Sequence, residues 1–251
     1  MVDKNWWESY FRKGWEPIQH LSRTPYITKK EANFVEYIMK RMGYKSVLDV
    51  PCGSGRIALE LAKRGYNTCG LEYNPDAIAT AINKAEKQKL QHKTRFMVGD
   101  MRQMEFKEEF DMAVCIFNSF GYFDDADNLR FLQCVAQALK PGGSFLLDCH
   151  ILETVLPVWN ENGVWYLDDL ILLEEREWDL KNSRMNGRWT FIHPNQLPQF
   201  FDSSVRVYGF RELKNIMTQL GFTKSKVFSS FEGHKLHVGR SSGAVMLFKK
   251  D

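Results

Sequence analysis

The chain has no C-x-x-C pair, no apolar run approaching the length of a membrane span, and no dense basic tract. Its five cysteines, Cys52, Cys69, Cys115, Cys134 and Cys149, are scattered through apolar segments. They read as small buried hydrophobes in a reducing compartment, not as a disulfide framework. No His/Cys cluster has metal-ligand spacing, so no metal is expected. A transmembrane helix would need about 18 or more apolar residues in a row, so no membrane partner is expected. The opening residues MVDKNWWESYF lack the apolar core of a signal peptide, which makes the cytoplasm the expected location. With 34 basic against 31 acidic residues, the net charge of +3 is too small to point to nucleic acid or an anionic membrane. Internal repeats and low-complexity segments are also missing. At 251 residues and 44% hydrophobic, the chain can build a full core, as one large domain or two modest ones.

The stretch Val47 to Arg56, VLDVPCGSGR, reads as a buried strand, a glycine turn and the opening of a helix. Val47, Leu48 and Val50 suit the strand, while Gly53 and Gly55 permit backbone angles and close approaches that a Cβ would block. Ile57, Ala58, Leu59, Leu61 and Ala62 then have the spacing of an apolar helix face. Backbone N–H groups at such a helix N-terminus meet nucleotide-like ligands. GSGRIA satisfies the loose dinucleotide pattern, with Glu72 lying 17 residues beyond Gly55. That pattern leaves Asp49 unexplained, an acid inside an apolar strand where burial is costly without a partner. A cofactor carrying a positive charge supplies the partner, whereas a pyrophosphate is repelled. This favours S-adenosylmethionine over NAD.

DVPCGSGR resembles the first motif of class I S-adenosylmethionine-dependent methyltransferases, with Pro51 in the place of the first glycine. Pro51 offers no N–H, so no ligand contact is assigned to its amide. The resemblance continues in order through CGLEYNPDAI at Cys69–Ile78, VGDM at Val98–Met101, FDMAVCIFNSFGYF at Phe110–Phe123 and LKPGGSFLLD at Leu139–Asp148. It implies that Glu72 accepts the ribose hydroxyls, Tyr73 packs on adenine, and Asp100 accepts the adenine amino hydrogens beside Met101. The cofactor set is then Tyr26, Asp49, Cys52, Gly53, Gly55, Glu72, Tyr73, Asp100, Met101, Phe117 and Asn118. NSFGY occupies the position where amino-methylating nucleic-acid enzymes carry N/D-P-P-Y/F, but without the prolines, so no nucleic-acid partner is expected.

Strand and helix alternate up to His150, which predicts a Rossmann-like, doubly wound α/β sheet. Residues 1–27 crowd aromatics and form either a helix packed on the body or a lid, and residues 28–150 form the cofactor-binding core. Thr28 is the expected N-cap of the first long helix, with Glu31 in the capping-box position. Asn74, followed by Pro75, caps the helix after Glu72, and Asp124 or Asp125 caps a later one. Residues 151–208 alternate apolar and polar, giving an antiparallel insertion of about three strands over Leu170–Trp178, Arg184–His193 and Ser203–Tyr208. Its turn falls at Lys181-Asn182-Ser183, with Asn186-Gly187 as the rival. Residues 209–251 return a helix and two strands. The sheet is expected to hold seven strands, mostly parallel, with an antiparallel last strand.

Methyl transfer from a sulfonium needs alignment and desolvation more than a strong catalytic group. His150 is the candidate base and Tyr122 an orienting group. Tyr10 and Trp15 are substrate-binding candidates on the aromatic segment. Arg176, Arg188 and Arg206 lie on the insertion, where they either bind an acidic acceptor or pair with acids at the surface. The expected activity is methyl transfer to N or O of a small molecule, releasing S-adenosylhomocysteine. An NAD-dependent oxidoreductase and a non-catalytic S-adenosylmethionine binder are the alternatives, and both monomer and homodimer stay open.

Overall fold

In a computed structural model, residues 2–14, 23–241 and 243–251 are described. Seven strands form one sheet in the order β10-β11-β5-β4-β1-β2-β3. β1 (Ser46–Asp49) lies parallel between β2 (Asn67–Glu72) and β4 (Phe110–Cys115), with β3 (Thr94–Val98) beyond β2 and β5 (Leu139–Asp148) beyond β4. β11 (Val245–Lys250) runs antiparallel to both β5 and β10 (Phe222–Phe228), so one strand opposes six. Helices α2 (Pro25–Met42), α3 (Arg56–Lys63), α4 (Pro75–Lys87), α5 (Asp125–Ala138) and α7 (Phe210–Gln219) flank this sheet, and short α1 (Trp6–Ser9) and α6 (Leu152–Val155) complete the described helices of this class. Among the described residues, no helix is long and apolar enough to cross a membrane.

The architecture matches the expected seven-stranded sheet. The insertion has four strands, in the order β6-β7-β8-β9, rather than about three. The additional strand is β6 (Asn162–Leu167), an edge strand whose residues are mostly exposed and so carry little inward alternation. β7 (Leu170–Asp179) and β8 (Arg184–Ile192) meet at the Lys181–Ser183 turn, where Ser183 has φ +49°. Asn186 and Gly187 pair inside the ladder with Glu177 and Arg176, so the rival turn is not used. The helix starts earlier than expected: Thr24 caps α2 and accepts the Ile27 N–H at 3.4 Å, with Pro25 in the first turn. Glu31, freed from capping, is buried and ion-paired to Arg56 at the start of α3. β5 runs through Pro141-Gly142-Gly143. Asp124 caps α5 by accepting the Asp127 N–H at 2.9 Å.

The insertion is bolted to the loop after β4. Arg206, the last residue of β9 (Gln199–Arg206), donates its N–H to the Gly121 carbonyl at 2.7 Å. Arg184 Nη1 donates to the Phe123 carbonyl at 3.0 Å, and Tyr208 donates its hydroxyl hydrogen to Asp125 at 2.8 Å. Gly121 makes this approach possible: its φ is +92°, and a Cβ there would lie 2.2 Å from the Arg206 carbonyl oxygen. Gly121→Ala is expected to lower stability by about 2 kcal/mol. An unchanged urea midpoint would show that the loop and the insertion do not depend on this contact.

Candidate active site

The sheet order reverses at β1, between β2 and β4, and open α/β sheets bind ligands at the strand C-termini beside such a point. A cavity of about 170 Å³ lies there. Its floor is the turn from Pro51 to Ser54, with Asp49 behind it. One side is Glu72, Tyr73, Asp100 and Met101, and the other is Ile116, Phe117, Ser119 and Tyr122. Trp7, Phe11 and Arg12 from the N-terminal segment close the top.

Asp49 is 3% exposed. Its Oδ2 accepts the Ala58 N–H at 3.1 Å, in the first turn of α3. Burial pushes its carboxyl up to about 7, against the opposing pull of the Arg56 guanidinium and the Ala58 N–H. The partner that the sequence assigned to a ligand is therefore supplied in part by the chain itself. Arg56 is in turn paired with buried Glu31. Gly53 and Gly55 both have positive φ, at +52° and +77°. At Gly55 a Cβ would also fall 2.7 Å from the Phe96 ring, so this turn is shaped by β3 as well as by its own angles.

Glu72 Oε2 accepts the Gly53 N–H and Oε1 the Asn74 N–H, each at 3.0 Å. The carboxylate thus ties the turn after β1 to the turn after β2, while burial raises its pKa. Asp100 is gripped by Arg102 through both oxygens, at 2.6 to 3.1 Å, and its pKa falls below the usual carboxylate range although burial opposes the shift. Arg102 reaches on to Asp127 and stacks 4.3 Å above the Phe123 ring.

The loop after β4 is strained. Phe117 and Asn118 take φ values of +71° and +54°, a region costly for a bulky side chain. Asp148, at the end of β5, holds both: its Oδ2 accepts the Phe117 N–H at 2.8 Å and its carbonyl the Asn118 N–H at 3.1 Å. Burial lifts the Asp148 carboxyl to about 6. The Arg23 guanidinium sits 3.4 Å from the Phe117 ring centroid. Neither Arg23 nor Arg56 is singled out as a site residue by the sequence. Arg56 lies inside the first motif, whereas Arg23 has no local signal.

Of the sequence-predicted residues, Asp49, Cys52, Gly53, Glu72, Tyr73, Asp100, Met101, Phe117 and Tyr122 line the cavity. Gly55 and Asn118 lie outside the lining, in turns where both take positive φ. Tyr26 is 74% exposed on α2, outside the cavity lining. Tyr122 is half-buried, and the desolvation of its hydroxyl raises its pKa, so it remains a protonated phenol. His150 is also held outside the lining: its Nδ1 is buried with no hydrogen-bond partner among the described residues, and burial, then Arg176, lowers its pKa to about 4. Arg176 lies on the inner face of β7, paired with Glu174, which is 5% exposed. Tyr10 is buried, and the proximity of Tyr122 and Glu174 adds to the effect of burial in raising its pKa. Arg188 lies on the outer face of β8, paired across strands with Asp202 at 2.7 Å, because strand alternation turns it away from the core. Trp15 lies outside the described residues.

Asp49 keeps its proton in the folded state at a pH where the unfolded chain has lost it, so ionising it costs stability as pH rises from about 4 to about 7. Asp49→Asn removes that cost. The variant is expected to gain stability relative to the parent by up to roughly 1.4 kcal/mol per pH unit across this window. Urea midpoints of both proteins at pH 5 and pH 7 measure it, and a constant difference between them counts against the raised value.

Residues 47–143 match the model of the methyltransferase domain family. The chain is 30% identical over 106 residues to the cypemycin N-terminal methyltransferase of a Streptomyces species, covering 42% of each chain. It is 25% identical over 249 residues to the ubiquinone biosynthesis O-methyltransferase of Rickettsia typhi, covering 97% of this chain and 91% of that one. In three of the curated relatives, the matched stretch spans 49%, 42% and 31% of the relative's own length. The fold superposes on an S-adenosylmethionine-dependent methyltransferase from Clostridium acetobutylicum with a TM-score of 0.77 at 18% identity, covering 88% of this chain and 91% of that one. Residues 47–143 thus match a methyltransferase domain, and the sheet order and the cavity at the C-terminal ends of β1, β2 and β4 resemble those of class I S-adenosylmethionine-dependent methyltransferases.

Proposed function

We propose that the protein transfers the methyl group of S-adenosylmethionine to nitrogen or oxygen of a small-molecule acceptor. The observation that carries this reading is the pairing, on adjacent strand ends and in one cavity, of the Glu72 carboxylate with the buried Asp49. The donor set fits the cofactor. Glu72 has spent one lone pair of each oxygen on backbone amides, which leaves acceptor capacity for two ribose hydroxyls. Tyr73 and Met101 offer flat and polarizable packing for adenine. Asp100 keeps an edge on the cavity despite its grip on Arg102. The negative charge of Asp49 suits the cationic methionine end, and Arg23 and Arg56 stand on the same side for its carboxylate.

When bound, S-adenosylmethionine supplies a methyl group on a positively charged sulfur, attacked in line by the acceptor's lone pair. The chain's task is alignment and exclusion of water, and alignment is worth on the order of 7–11 kcal/mol. Trp7, Phe11, Phe117, Tyr122 and Phe123 form an aromatic wall suited to a sulfonium. Trp7 packs edge-on against Tyr73 and Phe123, with ring centroids 4.9 and 5.5 Å apart, so the N-terminal segment serves as the lid over the site. Beyond it, Tyr10, Glu174 and Arg176 offer a polar surface for the acceptor on the inner face of the insertion. Tyr122 acts as a hydrogen-bond donor that orients the acceptor, whereas His150, outside the lining and with its pKa pushed down to about 4 by burial, is not the base. The names of the relatives, one an N-terminal methyltransferase and one an O-methyltransferase, support nitrogen or oxygen as the target.

Glu72→Ala is expected to weaken binding of both S-adenosylmethionine and S-adenosylhomocysteine by about tenfold or more, because two charge-assisted hydrogen bonds are lost. Calorimetry that finds the same affinity in both proteins overturns the cofactor assignment. Product formation from labelled donor across amines, phenols and carboxylates, corrected for hydrolysis, tests turnover itself.

A further inference from the structure

A second cavity, a groove of about 690 Å³, lies on the far flank of α2, against the β10–β11 hairpin. Its volume is that of a small-molecule site. The two walls carry the same polarity in the same direction. On the hairpin, Lys224 lies directly opposite Lys249, and Lys226 follows on the same face. Leu247 lies directly opposite Lys226, and Phe228 comes next along that face. On α2 the cationic residue, Arg41, is near the C-terminus, and Phe34 lies two turns earlier.

The two walls are aligned by contacts at each end. Tyr44, just past α2, hydrogen-bonds Ser144 at 3.0 Å, and Ser144 pairs with Lys249. Phe34 packs edge-on to Phe228 and Phe231 at 5.3 and 5.9 Å. One end of the groove is thus ringed by four cations and the other by aromatic and aliphatic side chains. Like charges placed directly across a ladder destabilise it. Among the described residues, no carboxylate pairs with Lys224, Lys226, Lys249 or Arg41; the acid that lines the groove, Glu232, is at the apolar end and is held by Lys30 at 2.5 Å.

We infer that this groove binds a single-chain anionic amphiphile from solution, its carboxylate or phosphate head between Lys224, Lys249 and Arg41 and its aliphatic tail along Leu247, Phe228 and Phe34. The head relieves the opposed lysines, and the tail covers Tyr37, which is 57% exposed. A concave site with polarity graded along its length favours one oriented small molecule over a flat membrane contact. The site shares no lining residue with the cavity at the strand ends and stands independently of the methyl-transfer reading.

The test is calorimetry on the full chain with dodecanoate below its micelle concentration. Dodecyltrimethylammonium and phosphatidylglycerol vesicles serve as the other arms. One dodecanoate per chain is expected to bind, with the same-length cation silent. The double variant Lys224→Gln/Lys249→Gln is expected to bind about tenfold more weakly. Its ligand-free melting temperature should be equal to or above the parent's, since a repulsion has been removed. Phe231→Ala, at the other end, is expected to weaken binding as well, while both variants bind S-adenosylhomocysteine as the parent does. Equal binding of the cationic chain, undiminished affinity in the double variant, or binding to vesicles alone each overturns the inference.

Discussion

A carboxylate buried at the end of a strand sets the terms for this molecule. Asp49 cannot be stripped of water without compensation, and the chain compensates by aiming the first turn of α3 at it. That requirement fixes where α3 begins, and so where the Gly53–Gly55 turn must bend. Arg56, at the first position of α3, then needs its own counter-charge and draws in Glu31 from α2. Three elements distant in sequence are thereby referenced to one acid. Partial neutralisation leaves Asp49 close to its midpoint near neutral pH, a state from which an arriving cation has leverage.

Much of this was legible in the residues themselves. The strand–turn–helix at Val47–Arg56, the capping by Asn74 and Asp124, and the alternation up to Asp148 each depend on near neighbours, so local pattern suffices. What escaped depends on partners far away. Glu31 looks like a capping-box residue when only its neighbours are read, and becomes a buried ion-pair partner because Arg56 lies across the helix interface. β6 has no inward stripe to announce it, since its partner β7 holds it by backbone pairing along one edge. Asn186-Gly187 has the right residues for a hairpin, but the ladder that Ser183 starts carries it past the bend. At the site, the motif residues converged on the cavity, whereas Tyr26 and His150 sit near a helix start and a strand end whose side-chain direction a linear pattern does not give, and Arg188 follows the alternation of β8 to its outer face.

The insertion and the loop after β4 form one unit. Gly121 receives Arg206, Phe123 receives Arg184, and Asp125 receives both Arg206 and Tyr208. The wall contributed by Phe117–Phe123 is thus braced by Asp148 at the end of β5 and from the insertion side by arginines. Aromatic contacts from Trp6, Trp7 and Phe11 join the N-terminal segment to the same wall. A ligand beneath the insertion therefore meets surfaces already organised by that loop.

The left-handed backbone at Phe117 and Asn118 stores about 1–3 kcal/mol at each residue, held in place by the two amides that Asp148 receives. Asparagine tolerates that conformation better than phenylalanine does, so the greater burden falls on the residue whose ring lines the cavity. Directed evolution for heat resistance alone would favour glycine at position 117, relaxing the chain while erasing part of the wall. Hardiness and function are set against each other at this single position.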